Sequence, residues 1–344
     1  MREILKIIKP YDAGIFSEGE VINLSSNENP YEPSEEVKRA YLSALTKINR
    51  YPDAGYPKLK KAISDYLCVE QDRISVGCGS SELISRVFDV LIDDLDRVVV
   101  PMPSYSLYLL YAFLRDASVL TPIFKNYELD EGFFDDLNAK LTVVCSPNNP
   151  TGNTVKRKIL EKIAENSEYL VIDEAYVEFS DESHIDFALE LDNVIILRSF
   201  SKFFGLAGLR VGYAISSKEI ASAIEKIRLP FAISVPAVEA AISAIRSIEY
   251  YEDLKKKIIA ERERMFVELK KMGFEVLPSK ANFLLTKTAG RDIADYLAKR
   301  GILVRKLENL LGLEGLYLRI TIGKKDENDT LLATLRSYCC ESAT

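Results

Sequence analysis

The chain has 344 residues, 47% of them hydrophobic and 28% charged, and its 45 basic against 52 acidic side chains leave a net charge of −7. That length exceeds what one core usually covers, so about two domains are expected, and the interspersed acidic balance offers no basic stripe for nucleic acid. A single histidine, His184, excludes a histidine metal cluster, while Cys68, Cys78, Cys145, Cys339 and Cys340 are scattered, odd in number and without zinc spacing, as expected of reduced thiols in a cytoplasmic protein.

Met1 to Lys6 carries charge and no long apolar run follows, which argues against a signal peptide or a membrane span. The first strand-like stretch, Ile74-Ser75-Val76-Gly77, runs through Cys78 and Gly79 into a helical pattern opened by Ser80 and Ser81. Backbone N–H groups at a helix start bind anions, so this turn is either a phosphate cradle or a capped helix without a ligand. It has neither the dinucleotide glycine spacing nor a Walker lysine. Val98-Val99-Val100 is the next strand candidate.

Leu141 to Cys145 leads into Ser146-Pro147-Asn148-Asn149-Pro150-Thr151-Gly152, a rigid turn. Asn149, held before a proline and biased away from helix, can aim its amide at a ligand oxygen. Tyr169 to Ile172 is a short apolar run ending in Asp173-Glu174-Ala175-Tyr176, and ligand groups gather at the carboxyl ends of buried parallel strands. Asp173 suits either a helix N-cap or a partner for a protonated pyridine nitrogen, with Tyr176 placed for a ring oxygen. Ser180 to His184 reads as an exposed loop. Val194 to Leu197 precedes Ser199-Phe200-Ser201-Lys202, followed by Gly205-Leu206-Ala207-Gly208-Leu209-Arg210. An amine framed by hydroxyls, glycines and a guanidinium describes a pyridoxal-phosphate lysine: Lys202 supplies the Schiff-base nitrogen, and Ser199, Ser201 and Arg210 hold the phosphate. The alternative is a solvated helix start. Val211 to Ile215 adds one more strand, and apolar runs alternating with helical patterns predict a mostly parallel sheet covered on both faces.

After Pro230 and Pro236 the pattern changes. A long charged helix is predicted over Glu249 to Met272, ended by Gly273, with Lys255-Lys256-Lys257 on its solvated face. Strand-like pieces at Phe274 to Leu277, Asn282 to Thr286 and Leu316 to Ile322, with a helix from about Arg291 to Arg300, read as a small α+β domain. Only the tail after Ser337 reads as dispensable.

Asn149-Pro150-Thr151-Gly152, Asp173-Glu174-Ala175-Tyr176 and Ser199-Phe200-Ser201-Lys202 with Arg210 stand in the order and approximate spacing of the fold-type I, pyridoxal-phosphate-dependent aminotransferases, which the chain resembles over essentially its whole length. Within that superfamily it most resembles the histidinol-phosphate aminotransferases, through Lys9-Pro10-Tyr11-Asp12, Leu24-Ser25-Ser26-Asn27-Glu28-Asn29-Pro30, Arg50-Tyr51-Pro52-Asp53 and Leu318-Arg319-Ile320-Thr321-Ile322-Gly323. Ser25-Ser26 before Asn27 and Lys324-Lys325 after Gly323 depart from their pattern.

The resemblance implies an α/β fold: an N-terminal arm over residues 1–30 packing with the small domain, a large cofactor domain over 31–235 with a mostly parallel, seven-stranded-type sheet, and a small α+β domain over 236–344. It implies pyridoxal 5′-phosphate as cofactor and no metal. Lys202 would be its attachment point and acid/base, Asp173 the partner of its ring nitrogen, and Asn149 and Tyr176 contacts of its ring oxygen. Tyr105 would stack on the ring, although Tyr108 and Tyr111 follow it at the helical spacing of ordinary core aromatics. Ser80, Ser81, Ser199, Ser201 and Arg210 would hold the phosphate, with Tyr51 reaching it from the partner of a homodimer. Tyr11, Asn27, Arg305 and Arg319 would bind substrate. The implied reaction moves an amino group between histidinol phosphate and 2-oxoglutarate. An aromatic or other amino-acid aminotransferase, and a threonine-phosphate decarboxylase, share these motifs and stay open.

Overall fold

In the computed structural model the described residues are Lys6, 21–125, 127–180, 182–288, 290 and 292–341, so Tyr11 lies outside them. The strands in chain order are β1 (Ile22–Leu24), β2 (Ile74–Gly77), β3 (Arg97–Val99), β4 (Ser118–Leu120), β5 (Ala139–Cys145), β6 (Ser167–Asp173), β7 (Val194–Ser199), β8 (Gly212–Ile215), β9 (Glu275–Val276), β10 (Phe283–Thr288), β11 (Ile302–Leu310) and β12 (Leu313–Thr321).

Apolar, β-branched runs without alternation make strands buried on both faces. They form the middle of a seven-stranded sheet of order β2-β8-β7-β6-β5-β3-β4, in which β8 is antiparallel to both neighbours and the other pairs are parallel. Alternate residues feed two apolar clusters: Ile172, Ile196, Ile215, Phe200 and Phe204 join one, Val171, Ile195, Leu197, Phe88 and Tyr108 the other. Helices cover these faces and are stopped by local chemistry. Ser34 caps Glu35–Ala44 by accepting from Val37 N, and Ser217 caps Lys218–Lys226 by accepting from Ile220 N.

A five-stranded sheet of order β1-β11-β12-β10-β9 is built from both ends of the chain. β1 runs parallel to β11, pairing Ile22 with Ile302 and Leu24 with Val304. Beyond β1 the chain crosses towards the larger sheet. Asn27 N donates to Thr321 Oγ1 at 2.8 Å, Asn282 Nδ2 donates to Asn27 O at 3.1 Å, and Asn29 Nδ2 donates to Phe203 O at 2.9 Å. Among the described residues no helix is long and apolar enough to cross a membrane.

Four sequence expectations need correction. His184 is buried, not exposed: its backbone N–H donates to the buried carboxylate of Glu174 as the chain turns into the helix Ile185–Glu190. The helix Val235–Arg246, which the change of pattern at Pro236 assigns to the small domain, packs against Glu35–Ala44 and Pro57–Leu67, helices beside the large sheet; Pro236 sits in its first turn, where a missing N–H costs nothing. The helix expected over Arg291 to Arg300 spans Ile293–Ala298. The tail after Ser337, read as dispensable, is part of the packed fold: the helix Lys325–Glu341 continues through it, and Tyr338 Oη donates to Asp292 Oδ1 at 2.6 Å.

Candidate active site

Because β2, β5, β6 and β7 are parallel, their carboxyl ends lie on one edge of the sheet, and β8, running the other way, begins there. The register confirms the convergence: Gly212 of β8 faces Gly77 of β2 on one side and Ser199 of β7 on the other, while Cys145 faces Asp173. A cavity of about 570 Å³ opens at this edge, within the range of small-molecule sites. Its walls bring together Asn27, Ser80, Ser81, Tyr105, Asn149, Asp173, Tyr176, Ser199, Ser201, Lys202, Arg210, Arg305 and Arg319, residues scattered through the sequence. Tyr51 is not among them; it is 78% exposed and stacks on Phe231 at 4.3 Å.

One end of the cavity is shaped for an anion. The helix Ser80–Leu91 points its first turn into it, Gly79 ahead of that turn has φ +78°, and Arg210 Nη1 donates to Ser201 Oγ at 3.2 Å. Glycine is required here on two sides. A Cβ on Gly79 would lie 2.6 Å from Arg210 Nη2, and one on Gly212 would lie 2.5 Å from Ser80 N. The space those Cβ atoms would fill lets backbone N–H groups, hydroxyls and a guanidinium converge, the arrangement that holds a phosphate at a helix start.

Deeper in, Asp173 is 3% exposed; Tyr108 Oη donates to its Oδ2 at 2.7 Å and Ala175 N to its Oδ1 at 3.0 Å. Burial pushes its carboxyl up to about 6, while the Tyr108 hydroxyl and the Ala175 N–H pull it down. The sequence treats Tyr108 as a core aromatic of the 105/108/111 series, yet its ring is in the core and its hydroxyl is at the site. The next residue, Glu174, turns the other way: its Oε2 accepts from Arg198 Nε at 3.0 Å and Nη2 at 2.8 Å, a buried pair that ties the ends of β6 and β7 together.

Lys202 Nζ donates to Ser26 O at 3.0 Å, and burial, followed by the positive charge of Arg319, pushes its ammonium down to about 7. An unperturbed lysine is neutral in about one molecule in 3,000 at pH 7, so this environment raises the nucleophilic fraction roughly a thousandfold. Tyr176 Oη accepts from Asn27 Nδ2 at 3.0 Å, which places Asn27 behind the tyrosine hydroxyl rather than only along a substrate wall. Asn149 Oδ1 accepts from Arg319 Nη1 at 2.6 Å, so the nitrogen end of that amide is the one left for a ligand oxygen. Arg319 Nη2 donates to Ser25 O at 2.7 Å, and Arg305 stands opposite Arg319 across β11 and β12. Side chains in that relation have Cβ atoms about 5 Å apart, so two guanidinium groups share one stretch of wall. Like charges opposite one another repel, and an anion between them turns that repulsion into attraction. A group with a phosphate at one end and an electron-poor ring therefore fits the inner cavity, and a second anionic group fits the arginine wall.

Residues 19–335 match the family described as aminotransferase class I and II. The chain is 55% identical over 341 residues to histidinol-phosphate aminotransferase 2 of Archaeoglobus fulgidus, covering 98% of this chain and 99% of the relative. A solved structure of histidinol-phosphate aminotransferase from Sinorhizobium meliloti in complex with pyridoxal-5′-phosphate superposes with a TM-score of 0.86 at 26% identity, covering 93% of this chain and 91% of that one. L-threonine-O-3-phosphate decarboxylase from Porphyromonas gingivalis superposes with a TM-score of 0.80 at 22% identity over 92% of this chain and 99% of that one, a likeness that shows the fold alone.

Proposed function

The chain belongs to the aminotransferase class I and II family, and from that premise we propose that it moves an amino group between L-histidinol phosphate and 2-oxoglutarate, a step of histidine biosynthesis, with pyridoxal 5′-phosphate as cofactor. The observation that carries the substrate assignment is the cross-strand pair Arg305 and Arg319 on the cavity wall. Histidinol phosphate has a phosphate and no carboxylate, glutamate has two carboxylates, and a paired guanidinium wall accepts either anion. The 55% identity to the Archaeoglobus fulgidus enzyme supports the same reading.

The cofactor, when bound, supplies an aldehyde for the amine and a ring that takes up the electron pair released from the substrate Cα. The residues present do the rest. Ser80, Ser81, Ser199, Ser201 and Arg210 hold the phosphate, and Tyr105 covers the ring face. Asp173, kept anionic by Tyr108 and Ala175 N, holds the proton of the ring nitrogen. Tyr176, positioned by Asn27, and the amide nitrogen of Asn149 face the ring oxygen. Lys202 Nζ would take the proton from the substrate Cα and deliver it to the carbon that was the cofactor's aldehyde, the 1,3-shift that transfers the amine. A lysine whose ammonium is pushed down to about 7 is matched to both directions of that transfer near neutral pH.

The active form is a homodimer in which Tyr51 reaches the partner's phosphate site. Supporting it are exposed apolar side chains, Tyr51 (78%) stacked on Phe231 (36%), with Ile48 (66%) and Leu229 (67%) exposed near them in the chain, of the kind that second subunits cover. Unpaired cysteines, among them Cys68 and Cys340 at the surface, support a reducing cytoplasmic setting.

The deciding experiment supplies the purified protein and pyridoxal phosphate with histidinol phosphate, tyrosine, phenylalanine, aspartate or threonine phosphate, each with 2-oxoglutarate. Glutamate is expected to form fastest from histidinol phosphate. Carbon dioxide released from threonine phosphate, or faster glutamate from an aromatic amino acid, overturns the assignment. Arg305→Ala and Arg319→Ala should each lower kcat/KM for histidinol phosphate by about 10- to 150-fold, the loss of one charge-assisted contact; Arg305→Ala should leave the absorbance of the bound cofactor unchanged, whereas Arg319→Ala also releases Asn149 and removes a positive charge beside Lys202.

A further inference from the structure

We propose that Glu225 is a positioning residue that joins the phosphate-holding turn to the face on which the second subunit docks. The inference rests on the dimer reading above and names the side chain that couples the two regions.

β2 is an outer strand, so one of its edges has no neighbouring strand. At Val76 that edge is satisfied by side chains. Val76 N donates to Glu225 Oε1 at 3.1 Å, and Val76 O accepts from the buried Arg86 Nη2 at 2.6 Å. Arg86 also pairs with Glu82 at 3.2 Å, and Glu82 accepts from Cys78 N. Val76 and Cys78 are the residues leading into Gly79-Ser80-Ser81, so the position of the phosphate-holding turn is set by this ionic group. Gly77 packs against it so closely that a Cβ there would lie 2.3 Å from Arg86 Nη2.

The other oxygen of the same carboxylate faces the docking side. Glu225 Oε2 accepts from Lys60 Nζ at 3.0 Å and from Arg228 Nε at 3.2 Å. These cations are well shielded, Lys60 at 16% and Arg228 at 10% side-chain exposure, so water and salt screen their pairs less than surface ion pairs. Arg228 donates to Ala54 O and lies 4.8 Å over the ring of Tyr56, whose hydroxyl accepts from Ile233 N at 2.9 Å. The chain around Ala54 and the chain around Ile233 are thereby clamped together, and they carry Tyr51 and Phe231, stacked at 4.3 Å on the exposed face. One carboxylate thus fixes a strand edge on the cofactor side and two cations on the docking side. Loosening either side frees the same group, so phosphate binding and subunit docking favour one arrangement and must be linked.

The test uses the full-length apo-protein in two equilibrium measurements at one fixed salt concentration. One is uptake of pyridoxal 5′-phosphate followed by absorbance, with pyridoxal as the ligand lacking the phosphate. The other is the dimer dissociation constant from sedimentation equilibrium. Glu225→Gln keeps the size of the side chain and removes its charge. It is expected to weaken uptake of pyridoxal 5′-phosphate by about 10-fold or more, leave uptake of pyridoxal unchanged, and weaken the dimer by a similar factor. Lys60→Met, which touches Glu225 and does not line the cavity, is expected to weaken both constants several-fold, and it carries the test if Glu225→Gln does not fold. A parent that dimerises while either variant moves only one constant, or neither, overturns this inference alone. A parent that stays monomeric at every concentration overturns the dimer reading and this inference with it. Equal weakening of pyridoxal and pyridoxal 5′-phosphate uptake assigns Glu225 to general stability and also overturns it.

Discussion

At the scale of single residues, the site depends on two groups held away from their ordinary protonation. Lys202 is pushed down to about 7 by burial and Asp173 up to about 6 by burial, so both titrate within the range where an apo-protein can be handled. The sign is the same for both in cofactor binding. As pH falls through about 7, Lys202 Nζ becomes protonated and loses its nucleophilic lone pair; as it falls through about 6, Asp173 becomes neutral and no longer balances a protonated ring nitrogen. Affinity of the parent apo-protein for pyridoxal phosphate should therefore fall steeply between pH 7 and 6 and with a lower slope in Lys202→Ala, where only Asp173 titrates. In Tyr108→Phe, loss of a donor to the ionised carboxylate should move the Asp173 contribution up by about one pH unit, the size of one net hydrogen bond. The titrations of the ligand itself are common to all three proteins and cancel in the comparison. An unchanged profile in Tyr108→Phe would remove Tyr108 from any role beyond packing.

At the scale of elements, the edge of the large sheet explains why chemistry collects where it does, and β8 is the piece that closes it. Running against its neighbours, it delivers Arg210 to the same edge where Ser199 and Gly77 end, and Gly212 lies closest to the backbone at the helix start. Gly212→Ala places a Cβ 2.5 Å from Ser80 N, a backbone atom that cannot rotate away. The helix start must shift, and uptake of pyridoxal phosphate should weaken by at least about 10-fold while the far-UV circular dichroism is retained; wild-type uptake would show that the turn adapts without loss. This edge was legible in the sequence because β5, β6 and β7 are continuous apolar runs that each end in a polar cluster, and the clusters keep a fixed order. Other parts were not legible, for physical reasons. β1 is a three-residue strand whose partner β11 lies at the other end of the chain, and so short a run carries no period. Tyr108 has the spacing of a core aromatic because most of it is one; only its hydroxyl, seen against Asp173, shows the second role. Arg198 and Glu225 are polar side chains held by partners brought from other elements, and His184 is drawn in through its backbone N–H; composition does not reveal partners.

At the scale of the whole molecule, the cavity is lined from both sheets and from the crossing segment between them, but not by Tyr51 of its own chain. Tyr51 stands exposed on the ring of Phe231, and the turn at Gly79-Ser80 is joined to that part of the chain through Val76, Glu225 and Arg228. If each site borrows Tyr51 from the second subunit, a defect in Lys202 and a defect in Tyr51 fall in different sites of a mixed dimer. Lys202→Ala protein has no attachment lysine but lends an intact Tyr51. Tyr51→Ala protein keeps Lys202 but lends nothing. Each alone should turn over poorly at limiting cofactor. After dissociation and random reassociation of equal amounts, half the molecules are mixed dimers, and each has one complete site out of two; activity should therefore recover to about one quarter of the parent value. The recovery should fail with a Tyr51→Ala chain that also carries Phe231→Asp, because a buried unpaired carboxylate would prevent docking. Full activity of Tyr51→Ala by itself, or a mixture no more active than the average of its components, would place Tyr51 outside the site and leave the exposed apolar side chains to some other use.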